Sequence, residues 1–514
     1  MRSLPARLAV AAVAGVLLAL GFEPYAWAYL VPVAVAMLTL VVRGARLRDG
    51  FLGGLVFGTA FLLVLLPWLR VIGPDAWVAL SLLEALFYGL GGLATAAVTR
   101  LRWWPLWSAA VWVAVELLRG SMPFGGFPWG RLAFATIDTP AAPLMAYVGA
   151  AGTTFAVALV GTTLAWALLR LRERPVAAVA GLVGSCLLAS VASVAPVHAA
   201  DPAADANPFS VAAVQGDVPG EGMNPFSERR AVLDNHVAAT LELARQVKAG
   251  KRPAPDLVIW PENSTDIDPF SDPTVYADIQ RAVDAIGVPV LVGAMVDGPG
   301  PREVYNQGIV WEPGTGPGER YSKRHPVPFG EYIPLREVFA PYITRLDQVP
   351  RDMVAGTEPG LLDMNGVTIG DVICFEVAYD DVVRDVAGDA RVLVVQTNNA
   401  TYMGTGQVEQ QFAISRLRAI ETGLPVVVAA TNGISGIVAP DGEVLAQAPV
   451  RTRTVLSESL TGLAGGSWGL RTGPWVQALL VLVAAVCTVR GAGLGYRQRS
   501  PGVGVRETQG TGVA

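Results

Sequence analysis

Gly370-Asp371-Val372-Ile373-Cys374-Phe375-Glu376 is an apolar strand that ends on a thiol, and a helix-like run over 379–386 follows it. A strand that hands its last residue to a helix marks a layered α/β domain, and the turn between them is a place where a nucleophile can be presented. Taken alone, Cys374 reads equally well as a small buried hydrophobe. Outward from it, strand-like runs occur at 210–215, 257–260, 288–292, 308–311, 368–373, 392–396, 426–430 and 436–439. Helix-like runs lie at 229–248, 273–286, 379–386 and 407–422, and Pro440-Asp441-Gly442 is a turn between two β runs. The segment 210–460 is therefore an α/β domain of about 250 residues.

The rest of the 514 residues has another character. Of the whole chain 52% is hydrophobic and 16% charged, against about 25% charged in soluble proteins. Apolar runs of spanning length crowd 8–22, 25–42, 51–69, 76–99, 104–119, 144–169 and 175–195, with an eighth at 474–490. With a cytoplasmic N-terminus, inside segments hold fourteen arginines (2, 7, 43, 46, 48, 100, 102, 170, 172, 174, 490, 497, 499 and 506). The short outside loops hold three, Arg70, Arg119 and Arg131. That asymmetry places both termini in the cytoplasm and the α/β domain outside it. Residues 2–28 also read as a signal peptide with Ala26-Trp27-Ala28 as cleavage site. The expected organisation is a seven-helix membrane domain over 1–195, a Pro- and Ala-rich linker 196–209, the domain 210–460, a transmembrane helix 474–490 and a disordered cytoplasmic tail 491–514. Net charge −5 leaves no basic footprint for nucleic acid, and no metal-ligand spacing occurs.

Cys186 and Cys487 fall in apolar runs, so Cys374 is the lone thiol of the polar region. Two other segments carry chemistry. Leu257-Val258-Ile259-Trp260-Pro261-Glu262-Asn263 puts a carboxylate at a sheet edge, where a strand-terminating surface Glu is the bland alternative. Tyr321-Ser322-Lys323-Arg324-His325-Pro326-Val327-Pro328-Phe329-Gly330-Glu331-Tyr332 holds one of only three lysines, in a loop pinned by Pro and Gly. A solvated basic loop is the alternative there. A thiol needs an activating base, and His236 and His325 are the histidine candidates in this domain. Glu84 and Glu116 lie within apolar runs, and Glu116 can pair with Arg119 three residues on.

Together, Glu262, Lys323 and Cys374 resemble the Glu–Lys–Cys set of the nitrilase, or carbon–nitrogen hydrolase, superfamily. The chain to about residue 490 resembles the apolipoprotein N-acyltransferase family. Pro24-Tyr25, Glu116-Leu117-Leu118-Arg119-Gly120, Phe127-Pro128-Trp129, Val214-Gln215-Gly216-Asp217-Val218-Pro219 and Ser415-Arg416-Leu417-Arg418-Ala419-Ile420-Glu421 agree with it. Phe375 stands where Tyr is frequent, Asn398-Asn399-Ala400-Thr401-Tyr402-Met403-Gly404 replaces an Asn-Asp-Ala-Trp-Phe-Gly type segment, and Phe226 stands near a usual Trp.

The resemblance implies a four-layer αββα sandwich, no cofactor, and a multi-pass enzyme of the bacterial cell membrane. It implies Cys374 as nucleophile, Glu262 as proton acceptor and Lys323 as oxyanion stabiliser, with Glu331 orienting Lys323 or Glu262 and Glu376 gating or aligning the site. The implied donor is a phospholipid, whose sn-1 acyl chain passes through a Cys374 thioester. The implied acceptor is the N-terminal amine of an S-diacylglyceryl-cysteine lipoprotein, the final step of lipoprotein maturation. Residues 338–356, with Phe339, Tyr342 and Ile343, are the candidate apolar lid. A membrane-tethered nitrilase-type amidase is the alternative.

Overall fold

The computed structural model describes residues 3–194, 207–218, 229–339, 341, 343–462 and 465–497. Pro219, Phe226, Tyr342, the tail beyond 497 and nearly all of the expected linker lie outside the described residues.

Seven helices open the chain: α1 (Leu4–Ala19), α2 (Leu30–Val42), α3 (Leu47–Leu65), α4 (Pro74–Val98), α5 (Trp104–Ser121), α6 (Met145–Arg170) and α7 (Pro175–Ser190). Proline sits in the first turn of α1, α4, α5 and α7, where its missing N–H costs nothing. Glycine brings α3 and α4 together: a Cβ on Gly54 would lie 2.1 Å from the Tyr88 carbonyl, so only a bare backbone fits.

Then comes the layered domain. Its first sheet is built from β1 (Phe209–Gln215), β2 (Leu257–Ile259), β3 (Val290–Asp297), β4 (Glu303–Glu312), β5 (Gly316–Ser322) and the short β6 (Asp352–Met353). The second holds β7 (Leu361–Met364), β8 (Val367–Ile373), β9 (Val392–Thr397), β10 (Val426–Ala430), β11 (Gly436–Val438) and β12 (Val444–Gln447). β13 (Thr454–Leu460) returns to the first sheet, giving the orders β13-β1-β2-β3-β4-β5 and β12-β11-β10-β9-β8-β7. The parallel strands β1, β2 and β3, and β8, β9 and β10, occupy the centres. They read as continuous apolar runs because both faces are covered.

α8 (Arg229–Lys248) and α9 (Pro273–Ile286) pack on the first sheet, with Leu233, Val237, Ile279 and Val283 against Val258 and Val292. Ile259, Leu291, Ile369 and Val394 fill the layer between the sheets. Past the four-residue α10 (Arg336–Phe339), α11 (Asp380–Ala387) and α12 (Gln407–Thr422) cover the second sheet, which completes αββα. That outer apolar layer runs without a break into the membrane helices. The chain closes on α13 (Trp468–Arg497), which starts earlier than expected and packs against α6.

Among the described residues, five helices are long and apolar enough to cross a membrane: α3, α4, α6, α7 and α13, some with short extensions. α1 and α2 are shorter, and α5 carries Glu116 and Arg119. Five strands escaped the sequence reading, the two-residue β6 among them. β5 and β13 are edge strands with polar residues and, in β5, Gly316-Pro317-Gly318, which reads as turn; an edge tolerates it because its proline owes no ladder bond. β7 and β12, four residues each, are the edges of the second sheet.

Candidate active site

The parallel strands β2, β8 and β9 release their chains at one end of the sandwich, and the site is made from the residues that follow. Glu262 comes three residues after β2, Cys374 directly after β8, and Asn398 directly after β9. β2 lies inside its sheet, so Glu262 stands at the end of a central strand and not at the sheet edge that its sequence suggested. Lys323 follows β5 directly.

Cys374 has φ +56°, a left-handed conformation that non-glycine residues adopt at some cost. The strain turns the chain from strand to helix in one step and leaves Cys374 half-buried, with its sulfur in the buried part. Thr397 donates its hydroxyl to Sγ at 3.4 Å, and Gln411 Nε2 donates to the Thr397 Oγ1 atom at 3.0 Å.

Glu262 is buried and held at both oxygens. Oε1 accepts from Asn306 Nδ2 at 2.7 Å and from Lys323 Nζ at 3.3 Å, and Oε2 accepts from the Asn398 N–H at 2.8 Å. Lys323, 1% exposed, donates to Glu331 Oε1 at 2.6 Å, and Glu331 Oε2 accepts from Val327 N–H at 2.8 Å. Glu331 thus orients the ammonium, and Glu262 only through it.

Burial alone would strip the Lys323 proton, but Glu262 and Glu331, with Cys374, outweigh it and hold its pKa well above the usual lysine value. Burial pushes the Cys374 thiol up to about 12, the Glu262 carboxylate adds to this, and Lys323 opposes it. The resting sulfur is therefore a neutral thiol. Moving its proton to Glu262 keeps the charge of the cluster constant, whereas losing it to solvent adds an anion to a buried pocket.

Glu376 is fully buried, which rules out a solvent-facing role. It accepts from Ile373 N–H at 2.8 Å, from Arg324 N–H at 2.6 Å, from His325 N–H at 3.0 Å and from the Tyr321 hydroxyl at 2.9 Å. One carboxylate thereby fastens the Lys323 loop to the turn that carries Cys374. Neither histidine serves the thiol. Both ring nitrogens of His236 are engaged, by Val232 O and Gly216 N–H, and burial lowers its pKa to about 4. His325 stacks on Tyr379 at 4.3 Å and lies 3.6 Å from Asp381.

The site opens toward the membrane helices. Phe375 stacks on Trp129 (5.1 Å, 9°) and Phe127 (5.4 Å, 22°), and Tyr402 meets Trp68 edge-on at 5.5 Å. Gln410 accepts from Trp129 Nε1 and Trp68 Nε1 and donates to the carbonyls of Glu23 and Leu65. Asp380 bridges Arg131 (2.7 Å) and Arg418 (2.8 Å). Glu116 pairs with Arg131, and Arg119 with Glu84, so the expected Glu116–Arg119 pair does not form. Of the lid candidates, Ile343 is exposed, Phe339 packs edge-on against Phe329, and Arg345 reaches Asp75 at the start of α4. Asn306, Tyr321, Thr397 and Gln410 escaped the sequence reading. Their signal was polar residues inside buried elements, as in Gln407, Gln410 and Gln411 on one face of α12.

Residues 14–163 match the family Apolipoprotein N-acyltransferase N-terminal domain, and residues 210–464 match Carbon-nitrogen hydrolase. An apolipoprotein N-acyltransferase of Mycolicibacterium smegmatis is 40% identical over 93% of this chain and 84% of its own. One of Ralstonia nicotianae is 30% identical over 94% of both.

Proposed function

Because this chain belongs to the apolipoprotein N-acyltransferase family, we propose that it moves an acyl chain from a phospholipid to the N-terminal amine of an S-diacylglyceryl-cysteine lipoprotein. Cys374 Sγ attacks the sn-1 ester carbonyl while its proton passes to Glu262, and the Lys323 ammonium receives the oxyanion. Collapse breaks the C–O bond, the proton goes to the departing lysophospholipid, and a thioester remains. The lipoprotein amine then attacks the thioester, gives a proton to Glu262, and the sulfur regains it on leaving. Glu331 and Glu376 hold the ammonium and the nucleophile turn in register.

The observation that carries this reading is the Phe375 stack. The residue next to the nucleophile rests on Trp129 and Phe127, in the loop between α5 and α6, so the turn that carries the thiol packs on the helical domain through which a lipid would arrive. We also assign the layered domain to the extracytoplasmic side and both termini to the cytoplasm. Arginine asymmetry supports this. So does the bundle itself: Arg100, just past α4, bonds the Gly491 carbonyl late in α13, while the layered domain docks on loops at the other helix ends.

The test incubates purified protein with phospholipid and isolates the acyl-enzyme. A thioester adduct is expected in the native protein and not in Cys374→Ala, and a diacylglyceryl peptide amine discharges it. An adduct that survives Cys374→Ala overturns the reading, and discharge by water in preference to the amine points to an amidase.

A further inference from the structure

Three residues before the nucleophile, β8 sends a carboxyl group into the apolar layer between the two sheets. Asp371 is fully buried, and no donor among the described residues reaches either of its oxygens. Gln396 stands beside it. Asp371 pairs with Val394 and Ile373 with Gln396 across parallel strands, so Asp371 and Gln396 point to the same face. They also converge in space, since a Cβ on Gly308 would lie 2.1 Å from Asp371 Oδ2 and 2.7 Å from Gln396 Oε1.

The far end of Gln396 fixes its amide. Nε2 donates to the Trp260 carbonyl at 2.6 Å, an oxygen that only accepts, and a flipped amide would set two acceptors at that distance. Oε1 is thus the atom left on the Asp371 side, and it too lacks a donor. Acceptors gathered in a dry layer without a donor are costly. A single proton on the carboxyl turns the conflict into a hydrogen bond.

We propose that Asp371 is held as a neutral carboxylic acid whose O–H donates to Gln396 Oε1. It is a positioning residue: the strap runs from the strand that ends on Cys374, through Gln396, to the Trp260 carbonyl two residues before Glu262. The inference rests on the reading of Cys374 and Glu262 as the reacting pair. The surroundings push the same way. Glu376 faces Asp371 from the turn after β8, Glu262 from beyond β2, and the Tyr321 hydroxyl from β5. Burial and the two carboxylates all raise the Asp371 pKa well above the usual value, and no cation opposes them.

The test is infrared spectroscopy of the full-length protein in an ester-free detergent, with 13C on aspartate side-chain carboxyls only. A measurement at pH 8 silences Asp266, whose pKa burial raises to only about 6. A protonated-carboxyl band in the native protein, absent from Asp371→Asn, is expected; no such band in the native protein overturns the proposal, whatever the acyl transfer rate. The positioning role is read separately. Asp371→Asn keeps a donor and should retain kcat within about threefold, while Asp371→Ala should lose about tenfold or more. Equal losses in both overturn the strap even where the band is present. Should Asp371→Asn fail to fold, Gln396→Leu replaces it, and the native band must then shift or vanish.

Discussion

Two buried ion-pair clusters draw on the stretch between β8 and α12, and they are wired differently. At the domain junction, Asp380 is shared by Arg131 and Arg418, which also bond Glu116 and Glu421. Burial would raise the Asp380 pKa, but the two guanidiniums reverse that and hold it well below the usual carboxylate range. At the candidate active site, Lys323 is the one cation among the described residues that pairs with Glu262 and Glu331, and there burial wins: Glu331 is raised, as is the thiol. Two cations on one carboxylate lock a joint, whereas two carboxylates and a thiol around one ammonium leave a proton able to move. The difference is that Asp380 by itself has two cations, while Glu262 and Glu331 share one.

Asp380→Asn attacks the fastening and should have the largest effect, about 3–5 kcal/mol of stability, because both arginines lose their shared anion. Since the folded pKa is depressed, the stabilisation is present above the unfolded value of about 3.9 and is lost as pH falls below it. Native melting temperature should therefore begin to drop as pH falls through about 4 and keep dropping until the depressed folded pKa is reached, and the variant should show a flatter profile; parallel profiles would break the comparison.

Lys323→Met removes the single cation of the second cluster. We expect kcat to fall about 10²–10³-fold. Because Glu262 and Glu331 lose their shared cation, the variant should also melt lower, increasingly so as pH rises and the two buried carboxyls must ionise. Lys323→Arg should not restore kcat, because a planar fork cannot replace a point charge held between two carboxylates. Gln410→Leu, which removes four bonds across the junction, should cost about 1–3 kcal/mol in thermal unfolding. Alkylation of Cys374 by iodoacetamide, without lipid, should rise about tenfold per pH unit from 7 to 9 without a plateau; a plateau near neutrality would mean a resting thiolate and a differently balanced site. The smallest effect belongs to Arg345→Ala. Its pair with Asp75 is solvent-exposed, so thermal unfolding of the variant should match that of the native protein.

Much of this was legible along the chain. Four long helices and the central strands announce themselves by periodicity, and Cys374, Glu262 and Lys323 by the strand ends and loop that carry them. Edge strands were not legible, because β5 and β13 have one neighbour each and their residues answer to solvent. Nor were Thr397, Tyr321 and Gln410, whose partners lie 23, 55 and up to 387 residues away.

By itself the sequence determined what repeats locally: the apolar runs that favour lipid, the arginine bias between the segments that join them, and the strand that ends on a thiol. Each depends on neighbours within a turn or a strand. Only the folded molecule decided the partnerships. Arg131, not Arg119, answers Glu116; Glu376 fastens the Lys323 loop; and Phe375 rests on the membrane domain. Those choices follow from how layers and helices pack, because a charge or a ring binds whatever the packing sets within a few ångströms of it.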